Sequence, residues 1–200
     1  MWRSSVARGL ALVAAALAIG VTSARGPLRK LDLRIYRFAN RPRGARTDAV
    51  AKGITELGSL WASAAASVVL ARAGRKRAAA DALGAALAMW AVGQLLKKGV
   101  RRPRPYEALE DARLLIAEPS GTSWPSSHPA VFLAFATVAC RDLDSPPAAR
   151  GAADALAGVV GASRIYLGVH YPANVAGGLL LGRAVADGWT ALVSPHMGPR

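Results

Sequence analysis

The sequence predicts an all-α protein: a bundle of six membrane-spanning helices with its functional site at one membrane face. Hydrophobic residues make up 52% of the chain and the mean hydropathy is positive, although the formal net charge is +14. Long stretches nearly free of charge alternate with short segments dense in Arg and Lys. A membrane protein accommodates both features, because apolar residues collect in the spanning helices and basic residues in the loops. A nucleic-acid-binding protein of this charge would have a more polar body, so we expect no nucleic-acid partner.

Six segments are candidate spans, because a helix needs ~20 mostly apolar residues, within a range of about 17 to 25, to cross a bilayer. The candidates are residues 10–24, 57–73, 78–96, 129–140, 151–162 and 175–193. The fourth and fifth are short by this measure. The predicted organisation is an N-terminal transmembrane helix or signal anchor (1–26), a basic amphipathic connector (27–56), a helical core (57–194) and a C-terminal tail (195–200).

Two of these segments allow more than one interpretation. The first follows Arg3 and Arg8 and ends in small residues before Arg25, which is typical of a signal peptide as well as of an uncleaved helix. We favour the uncleaved helix. The basic segment 27–52 is predicted either as a helix lying on the membrane surface or as an ordinary amphipathic connector. Its apolar residues at helical spacing are Leu28, Leu31, Ile35 and Phe38.

We assign no catalytic role to four isolated residues, namely Cys140, Arg183, Asp187 and His196. The single cysteine, Cys140, excludes an internal disulfide and a cysteine-based zinc site. Arg183 and Asp187 are four residues apart in the last predicted span, and we expect them to pair with each other or to extend toward the membrane interface rather than to take part in catalysis. His196, in the C-terminal tail, is assigned no role.

Three polar clusters, at residues 97–105, 124–129 and 163–174, share one membrane face if six spans alternate in direction. Together they supply several fixed cations, two histidines, and Ser and Gly residues near helix ends. This inventory suits a phosphate group, because phosphoryl transfer requires mainly positioning and neutralisation of three equatorial oxygens. Arg donates two parallel hydrogen bonds, a helix N-terminus adds N–H donors, and imidazole can act as nucleophile or proton donor near neutral pH. Two histidines without a nearby carboxylate pair do not form a metal site, so we expect none.

The three clusters resemble the signature of the type 2 phosphatidic acid phosphatase (PAP2) superfamily, which also contains the vanadium haloperoxidases. That signature is Lys, six residues and Arg-Pro; then Pro-Ser-Gly-His; then Ser-Arg, five residues, His, three residues and Asp. The matching residues are Lys97, Arg104, Pro105, Pro125, Ser126, Ser127, His128, Ser163, Arg164, His170 and Asn174. The resemblance extends over residues 48–190, including the stretch 55–58 ahead of a span. Three motifs in this order are far more specific than any one of them.

The resemblance implies a role for each matching residue. His170 would attack phosphorus and His128 would protonate the leaving group, without a metal or another cofactor. The phosphate oxygens would be bound by Lys97, Arg104, Arg164, Ser126 and a backbone N–H near Ser127. The neighbouring Lys98, Arg101 and Arg102 are predicted to be surface cations or lipid-headgroup contacts.

The sequence departs from the signature at two positions. Ser127 replaces Gly, which keeps the backbone N–H but adds a side chain. Asn174 replaces Asp, which would accept a hydrogen bond from His170 and stabilise the imidazolium that develops. A carboxamide offers its carbonyl oxygen for the same hydrogen bond but no charge, so reduced activity is expected. A catalytically weakened or inactive relative, which binds lipid phosphate or scaffolds membrane partners, is therefore the alternative function.

The expected substrate is a lipid-linked phosphate, because a site at the mouth of a helix bundle lets the tail stay among membrane lipids. Phosphatidic acid, polyprenyl phosphates or diphosphates, and polyprenyl-linked sugar phosphates are candidates, and the short Arg-rich form is similar to phosphatases of polyprenyl-phosphoryl-pentose phosphate in cell-wall synthesis. We expect an integral protein of the bacterial cell membrane, and the positive-inside rule favours a cytoplasmic site. A basic membrane or nucleic-acid-associated protein with fortuitous motifs is the remaining alternative, and the spans argue against a haloperoxidase.

Overall fold

The computed structural model describes residues 2–192, with side chains from Val6 onward. The end of the predicted sixth span and the predicted tail 195–200, with His196, lie outside the described residues. Between residues 2 and 192 the chain forms helices and no strand, which confirms the all-α prediction. The helices are α1 (Trp2–Arg25), α2 (Arg29–Ala39), α3 (Ala45–Glu56), α4 (Leu60–Arg72), α5 (Lys76–Lys97), α6 (Pro105–Ala108), α7 (Ser127–Asp142), α8 (Pro147–Tyr166) and α9 (Pro172–Leu192).

Each of the six predicted spans coincides with a helix, namely α1, α4, α5, α7, α8 and α9. Length and hydropathy together mark only two candidate spans among the described residues, Val6–Arg25 and Lys76–Lys97, or three if α3 and α4 form one bent span. Helix α4 has 13 residues and α7 has 16. At 1.5 Å per residue, a 13-residue helix is about 20 Å long and does not cross a ~30 Å hydrocarbon core alone. The number six therefore stays a prediction.

The chain bends by 61° between α3 and α4, at residues 57–59. Ser59 ends the bend as the N-cap of α4, where its hydroxyl accepts a hydrogen bond from the Ala62 N–H at 3.1 Å. The side chain of Thr55 and the backbone of Gly58 are both buried next to this break. Thr55 and Gly58 therefore lie against the bundle on either side of the end of α3.

Helix α7 lies at the centre of the bundle and packs against α5, α8 and α9, while α1 packs along α9. Two glycines of α9 allow its backbone to approach α7 closely. A Cβ on Gly178 would lie 2.4 Å from the Ser126 carbonyl oxygen, and one on Gly182 would lie 2.5 Å from that of Ala130. Small residues four apart are typical of close helix contacts in membrane proteins. This contact fixes the first turns of α9 beside the N-terminus of α7.

The connector 27–52 contains α2 and the start of α3. One face of α2 is buried through Asp32, Tyr36 and Asn40, which are spaced four residues apart. The neighbouring face leaves apolar side chains exposed, namely Leu28, Leu31, Ile35 and Phe38. Helix α2 is thus an amphipathic helix docked on the bundle by its polar face.

The predicted pairing of Arg183 with Asp187 is wrong. Arg183 donates a hydrogen bond to Asp154 of α8, and Asp187 is paired with Arg8 of α1, whose Nε lies 3.3 Å from the carboxylate. Both residues face neighbouring helices, so each reaches a partner across a helix contact rather than along α9.

Candidate active site

A cavity of about 460 Å³ lies where the start of α4, the end of α5, the start of α7 and the end of α8 meet. Its polar lining includes Ser59, Gln94, Lys97, Arg104, Ser120, Ser127, His128, Arg164 and His170. The structure therefore brings both predicted histidines and all three predicted cations to one cavity. Among the described residues there is no group of three or more His, Cys, Asp or Glu side chains arranged to hold a metal ion.

Arg104 lines this cavity and connects two loops, the one at residues 120–121 and the one between α8 and α9. Its Nε donates to the Gly121 carbonyl at 2.8 Å, its Nη2 to that of Ser120 at 3.0 Å, and its Nη1 to that of Val169 at 3.1 Å. The same Nη1 lies 3.5 Å from Nε2 of His170. The guanidinium is almost fully buried, so it holds a fixed positive charge beside the imidazole.

Arg164 and Lys97 complete the set of cations. Arg164 is buried in the last turn of α8, where its Nη1 donates to the Thr55 hydroxyl at 2.8 Å and its Nε has no hydrogen-bond partner. Lys97 ends α5 and lines the same cavity. Within residues 6–192, neither these two side chains nor Arg104 form an ion pair with a carboxylate. The cavity therefore has an uncompensated positive charge suited to an anion.

His170 lies in the short connection between α8 and α9. Its Nδ1 is 2.7 Å from the carbonyl oxygen of Ser123. A carbonyl only accepts, so Nδ1 carries the proton and Nε2 carries the lone pair, which faces Nη1 of Arg104 at 3.5 Å. Burial, followed by the nearby charges of Arg164, Arg104 and Lys97, holds the pKa of His170 well below its ordinary value. The imidazole is therefore neutral, as a nucleophile must be.

The turn before His170 requires a glycine. Gly168 has φ of +87°, and a Cβ there would lie 1.9 Å from the carbonyl oxygen of Arg113. Glycine adopts this left-handed conformation without steric cost. The turn directs the chain from α8 back toward the cavity.

His128 is the second residue of α7, and Gly58 fixes its position. A Cβ on Gly58 would lie 2.7 Å from the Cβ and from the carbonyl oxygen of His128. The hydroxyls of Ser126 and Ser127 are buried without a hydrogen-bond partner, and Ser127 lines the cavity. The backbone N–H groups in the first turn of a helix have no intrahelical acceptor and favour anions. The Ser126 N–H is already used, because it donates to the Asn174 carbonyl at 3.0 Å.

Asn174 does not accept the hydrogen bond from His170 that the sequence predicts. Its Nδ2 instead donates to the Ser123 carbonyl at 2.9 Å, the same oxygen that faces His170. Its Oδ1 accepts from Nη1 of Arg102 at 3.0 Å. The backbone of Ser123 thus occupies the place next to His170 that the motif alone assigns to residue 174.

Arg102 is not a surface cation, so this prediction is wrong. It is 5% exposed and its Nη2 lies 2.6 Å from the Asp32 carboxylate. Its neighbours Lys98 and Arg101 are exposed, as predicted. Sequence patterns also missed Asp32 and Ser123, and they assigned no role to Thr55 although the stretch 55–58 was part of the resemblance. One available signal was that Asp32 is the only acidic residue between positions 27 and 47, in a helix otherwise rich in Arg and Lys.

The family model of the PAP2 superfamily matches residues 78–197, which is more than half of the chain and includes all three clusters. The chain belongs to the PAP2 superfamily. The resemblance predicted from the three clusters is thereby confirmed, and the PAP2 signature residues are the ones that line the cavity or support it.

A curated relative and two solved structures are similar to this PAP2 chain. The decaprenylphosphoryl-5-phosphoribose phosphatase of Mycolicibacterium smegmatis is 30% identical over 118 residues, which is 59% of this chain and 62% of that relative's length. The transmembrane PAP2-type phosphatidylglycerolphosphate phosphatase from Bacillus subtilis has a TM-score of 0.77 at 22% identity, over 96% of this chain and 99% of the other. Aquifex aeolicus LpxE has a TM-score of 0.69 at 28% identity, over 78% of this chain and 92% of the other.

Proposed function

We propose that this PAP2 protein is a membrane phosphatase that hydrolyses a lipid-linked phosphate through a phosphohistidine at His170. The observation that carries the proposal is the cavity itself, where two histidines face three cations that have no carboxylate partner among the described residues. Uncompensated buried charge is unfavourable, and a bound phosphate would supply the missing anion. Dispersed positive charge is also what stabilises a phosphoryl group in transfer.

The reaction would proceed in two displacements. Nε2 of His170 forms a bond to phosphorus as the bond from phosphorus to the leaving oxygen breaks, and protonated His128 gives its proton to that oxygen. Neutral His128 then takes a proton from water, whose oxygen attacks phosphorus, and the bond to His170 breaks to release inorganic phosphate. Lys97, Arg104 and Arg164, with Ser127 and the N-terminus of α7, would bind the phosphate oxygens throughout.

These side chains would act without a metal ion. The described residues that line the cavity include two histidines and no Asp or Glu, whereas a catalytic metal site needs about three protein ligands. The work of charge neutralisation falls instead to the cations. Activity retained in excess chelator would support this part of the proposal, and a requirement for an added divalent cation would overturn it.

The cavity borders on apolar surface that would face lipid. Trp61 is 85% exposed and Trp90 is 44% exposed, and both line the cavity together with Leu60. Exposed tryptophans are typical of membrane interfaces. A substrate could thus keep its tail in the bilayer while its phosphate reaches the cations. The likeness to the Mycolicibacterium enzyme favours a polyprenyl tail, with a pentose phosphate as one candidate headgroup.

We further propose that α1, α5, α7, α8 and α9 each cross the cell membrane and that α4 forms the remaining span together with α3, as one bent pair. Residues 57–194 would be the enzymatic core, and α2 would lie in the interface. The exposed apolar side chains of α2 would insert among lipids and its Arg and Lys residues would contact headgroups. The positive-inside rule then favours a cytoplasmic active site. A Cys140→Ser protein with a single new cysteine at exposed Arg43 tests this. Labelling by an impermeant maleimide in intact cells would contradict the cytoplasmic placement.

Phosphate release by the purified full chain in detergent tests the enzymatic proposal. We expect release from polyprenyl phosphates, polyprenyl diphosphates or phosphatidic acid to exceed release from a soluble phosphate ester. His170→Ala should abolish release, whereas His196→Ala, the matched control, should leave it unchanged. Equal background release by the natural chain and His170→Ala would leave only the alternative function, a lipid-phosphate-binding relative, which Asn174 motivates.

A further inference from the structure

A buried series of polar groups connects α2 to the nucleophile proposed above. The Asp32 carboxylate accepts from Nη2 of Arg102 at 2.6 Å, and Nη1 of Arg102 donates to Oδ1 of Asn174 at 3.0 Å. Nδ2 of Asn174 donates to the Ser123 carbonyl at 2.9 Å, and Nδ1 of His170 lies 2.7 Å from that oxygen. All five residues are at most 5% exposed, so water does not compete for these contacts.

We propose that Asp32 and Arg102 are positioning residues of the active site, which fix the Asn174 carboxamide so that it holds the Ser123 carbonyl as the acceptor for His170 Nδ1–H. This inference rests on the proposed function, which assigns His170 as the nucleophile. It concerns residues outside the PAP2 signature matched above. Neither Asp32 nor Arg102 lines the cavity, so both act through other groups.

The orientation of Asn174 follows from the chemistry of Arg102 and of the Ser123 carbonyl. Its Nδ2 also contacts the Ser123 hydroxyl, which can accept a hydrogen bond. A guanidinium has only donors, and a carbonyl oxygen has only acceptor sites. Rotating the carboxamide by half a turn would place its NH2 group against Arg102 and its oxygen against the Ser123 carbonyl. Both contacts would become repulsive in a buried site, where such errors are costly. Arg102 therefore selects the orientation in which Asn174 donates to Ser123.

Arg102 is itself held on several sides. Its guanidinium lies 3.8 Å above the Tyr171 ring, and its Nη1 also donates to the Ser23 hydroxyl of α1 at 3.2 Å. The second oxygen of Asp32 accepts from the Ala173 N–H at 2.7 Å, in the first turn of α9. The Asp32 carboxylate thereby bridges Arg102 and the helix that carries Asn174. Helix α2 is thus part of the support of His170 and not only a connector.

This arrangement gives a physical role to the asparagine at position 174. With an Asp at 174, a carboxylate oxygen would face the Ser123 carbonyl without a proton between them, and Arg102 would have two anions instead of one. The natural residues carry one negative charge, one positive charge and one neutral carboxamide. Asn174 is therefore the residue that fits a site already containing Asp32 and Arg102.

Charge-balanced double substitution separates positioning from stability. Asp32→Asn and Arg102→Met each leave one buried charge unpaired, so we expect both single variants to lose thermal stability. The double variant, Asp32→Asn with Arg102→Met, has no unpaired charge and should recover most of the melting temperature. Its kcat should nevertheless stay lower by about 10-fold to 100-fold, with KM little changed; this is the size of effect found for residues that orient metal-binding histidines. Arg183→Met with Asp154→Asn, an ion pair far from the cavity, is the matched control and should keep its kcat.

The protonation pattern of His170 provides a readout that does not require turnover. In ¹⁵N-histidine-labelled natural protein, with His170 assigned from the His170→Ala spectrum, Nδ1 should carry the proton. The double variant should show a mixture of the two tautomers. Recovery of kcat together with the melting temperature, or an unchanged His170 tautomer in the double variant, would overturn the positioning role. A natural chain that shows no phosphate release would refute the proposed function, and the tautomer comparison would then decide the positioning role alone.

Discussion

Each end of the helical bundle has a cavity lined by arginines, but the two cavities differ in whether those arginines are paired with carboxylates. At one end, called here the histidine end, Lys97, Arg104 and Arg164 face a cavity that holds His128 and His170. At the other, the aspartate end, a cavity of about 260 Å³ is lined by the arginines and aspartates of α1, α7, α8 and α9. Those residues include Arg8, Arg141, Arg183, Asp154 and Asp187.

Pairing distinguishes the two ends. Three of the four arginines that line the cavity at the aspartate end are paired: Arg8 is 3.3 Å from Asp187, Arg141 is 2.7 Å from Asp142, and Arg183 contacts Asp154. The fourth, Arg150, is exposed to solvent. No such pair forms for the three cations of the histidine end in the part of the chain that the structure describes. A buried arginine with its own carboxylate is neutralised within the protein, whereas a buried arginine without one leaves a positive charge that a bound anion can neutralise. The same criterion separates the neighbours Arg102, which is paired, and Arg104, which is not.

Substitution of an unpaired arginine should have the largest effect on activity. Arg164→Gln removes a charge that would stabilise the phosphoryl group, and losses of about 10²-fold to 10³-fold in kcat are typical for one such group. We expect a loss of this size in phosphate release from a lipid phosphate. Arg183→Gln removes an arginine that is paired at the aspartate end, and we expect little change in kcat. Equal losses in both variants would show that pairing does not separate catalytic from structural arginines.

Displacement of His128 should have the next largest effect. Gly58→Ala would put a methyl group 2.7 Å from the His128 Cβ, so the histidine must move. A misplacement of about 1 Å can lower a rate by as much as 100-fold. Gly53→Ala is the matched control in α3, because its Cβ would meet nothing within 4 Å. If both variants released phosphate at the natural rate, the position assigned to His128 would be wrong.

Asn174→Asp sharpens the comparison by adding a carboxylate to the histidine end. The motif alone suggests a gain in activity, because it restores the residue of the family signature. The contacts of Asn174 with Arg102 and Ser123 predict instead a loss of about 10-fold in kcat/KM, as for other disturbed supporting contacts. A higher kcat/KM in Asn174→Asp than in the natural chain would contradict this.

The unpaired cations should also affect the pH dependence of activity, although this effect should be smaller than the losses in kcat predicted above. Burial and the charges of Arg164, Arg104 and Lys97, with His128 nearby, lower the pKa of His170 from 6.5. A lowered pKa keeps the imidazole neutral as the pH falls through 6.5, so the nucleophile survives mild acid. Arg164→Gln removes one opposing charge and raises this pKa, so kcat/KM should begin to fall at a higher pH. If kcat/KM fell at the same pH in the natural chain and in Arg164→Gln, the charge of Arg164 would not affect the pKa of His170.

The sequence predicted the helices and the shared cavity because both depend on local patterns. Apolar runs identify α1, α5 and α9 directly, and alternating helix directions bring the clusters around Lys97, His128 and His170 to one end. The start of α4 was less predictable, since the chain bends by 61° between α3 and α4 and the apolar run therefore begins as a helix only at Leu60.

The supporting residues were not predictable in the same way. Arg102 lies between exposed Arg101 and exposed Pro103, so its burial depends on α2 packing against the His170 turn from a distant part of the chain. The role of the Ser123 carbonyl is invisible to motifs, because every residue has that group. Asn174 was judged by the family residue it replaces, whereas its effect depends on Arg102 and Asp32.

Identification of the phosphorylated residue tests the central proposal most directly. The purified chain would be mixed with a ³²P-labelled polyprenyl phosphate, quenched in base during turnover, and mapped by mass spectrometry. We predict a base-stable, acid-labile phosphoramidate on Nε2 of His170, which is absent from His170→Ala. Phosphate release without labelled protein, or a label on any other residue, would contradict a phosphohistidine at His170.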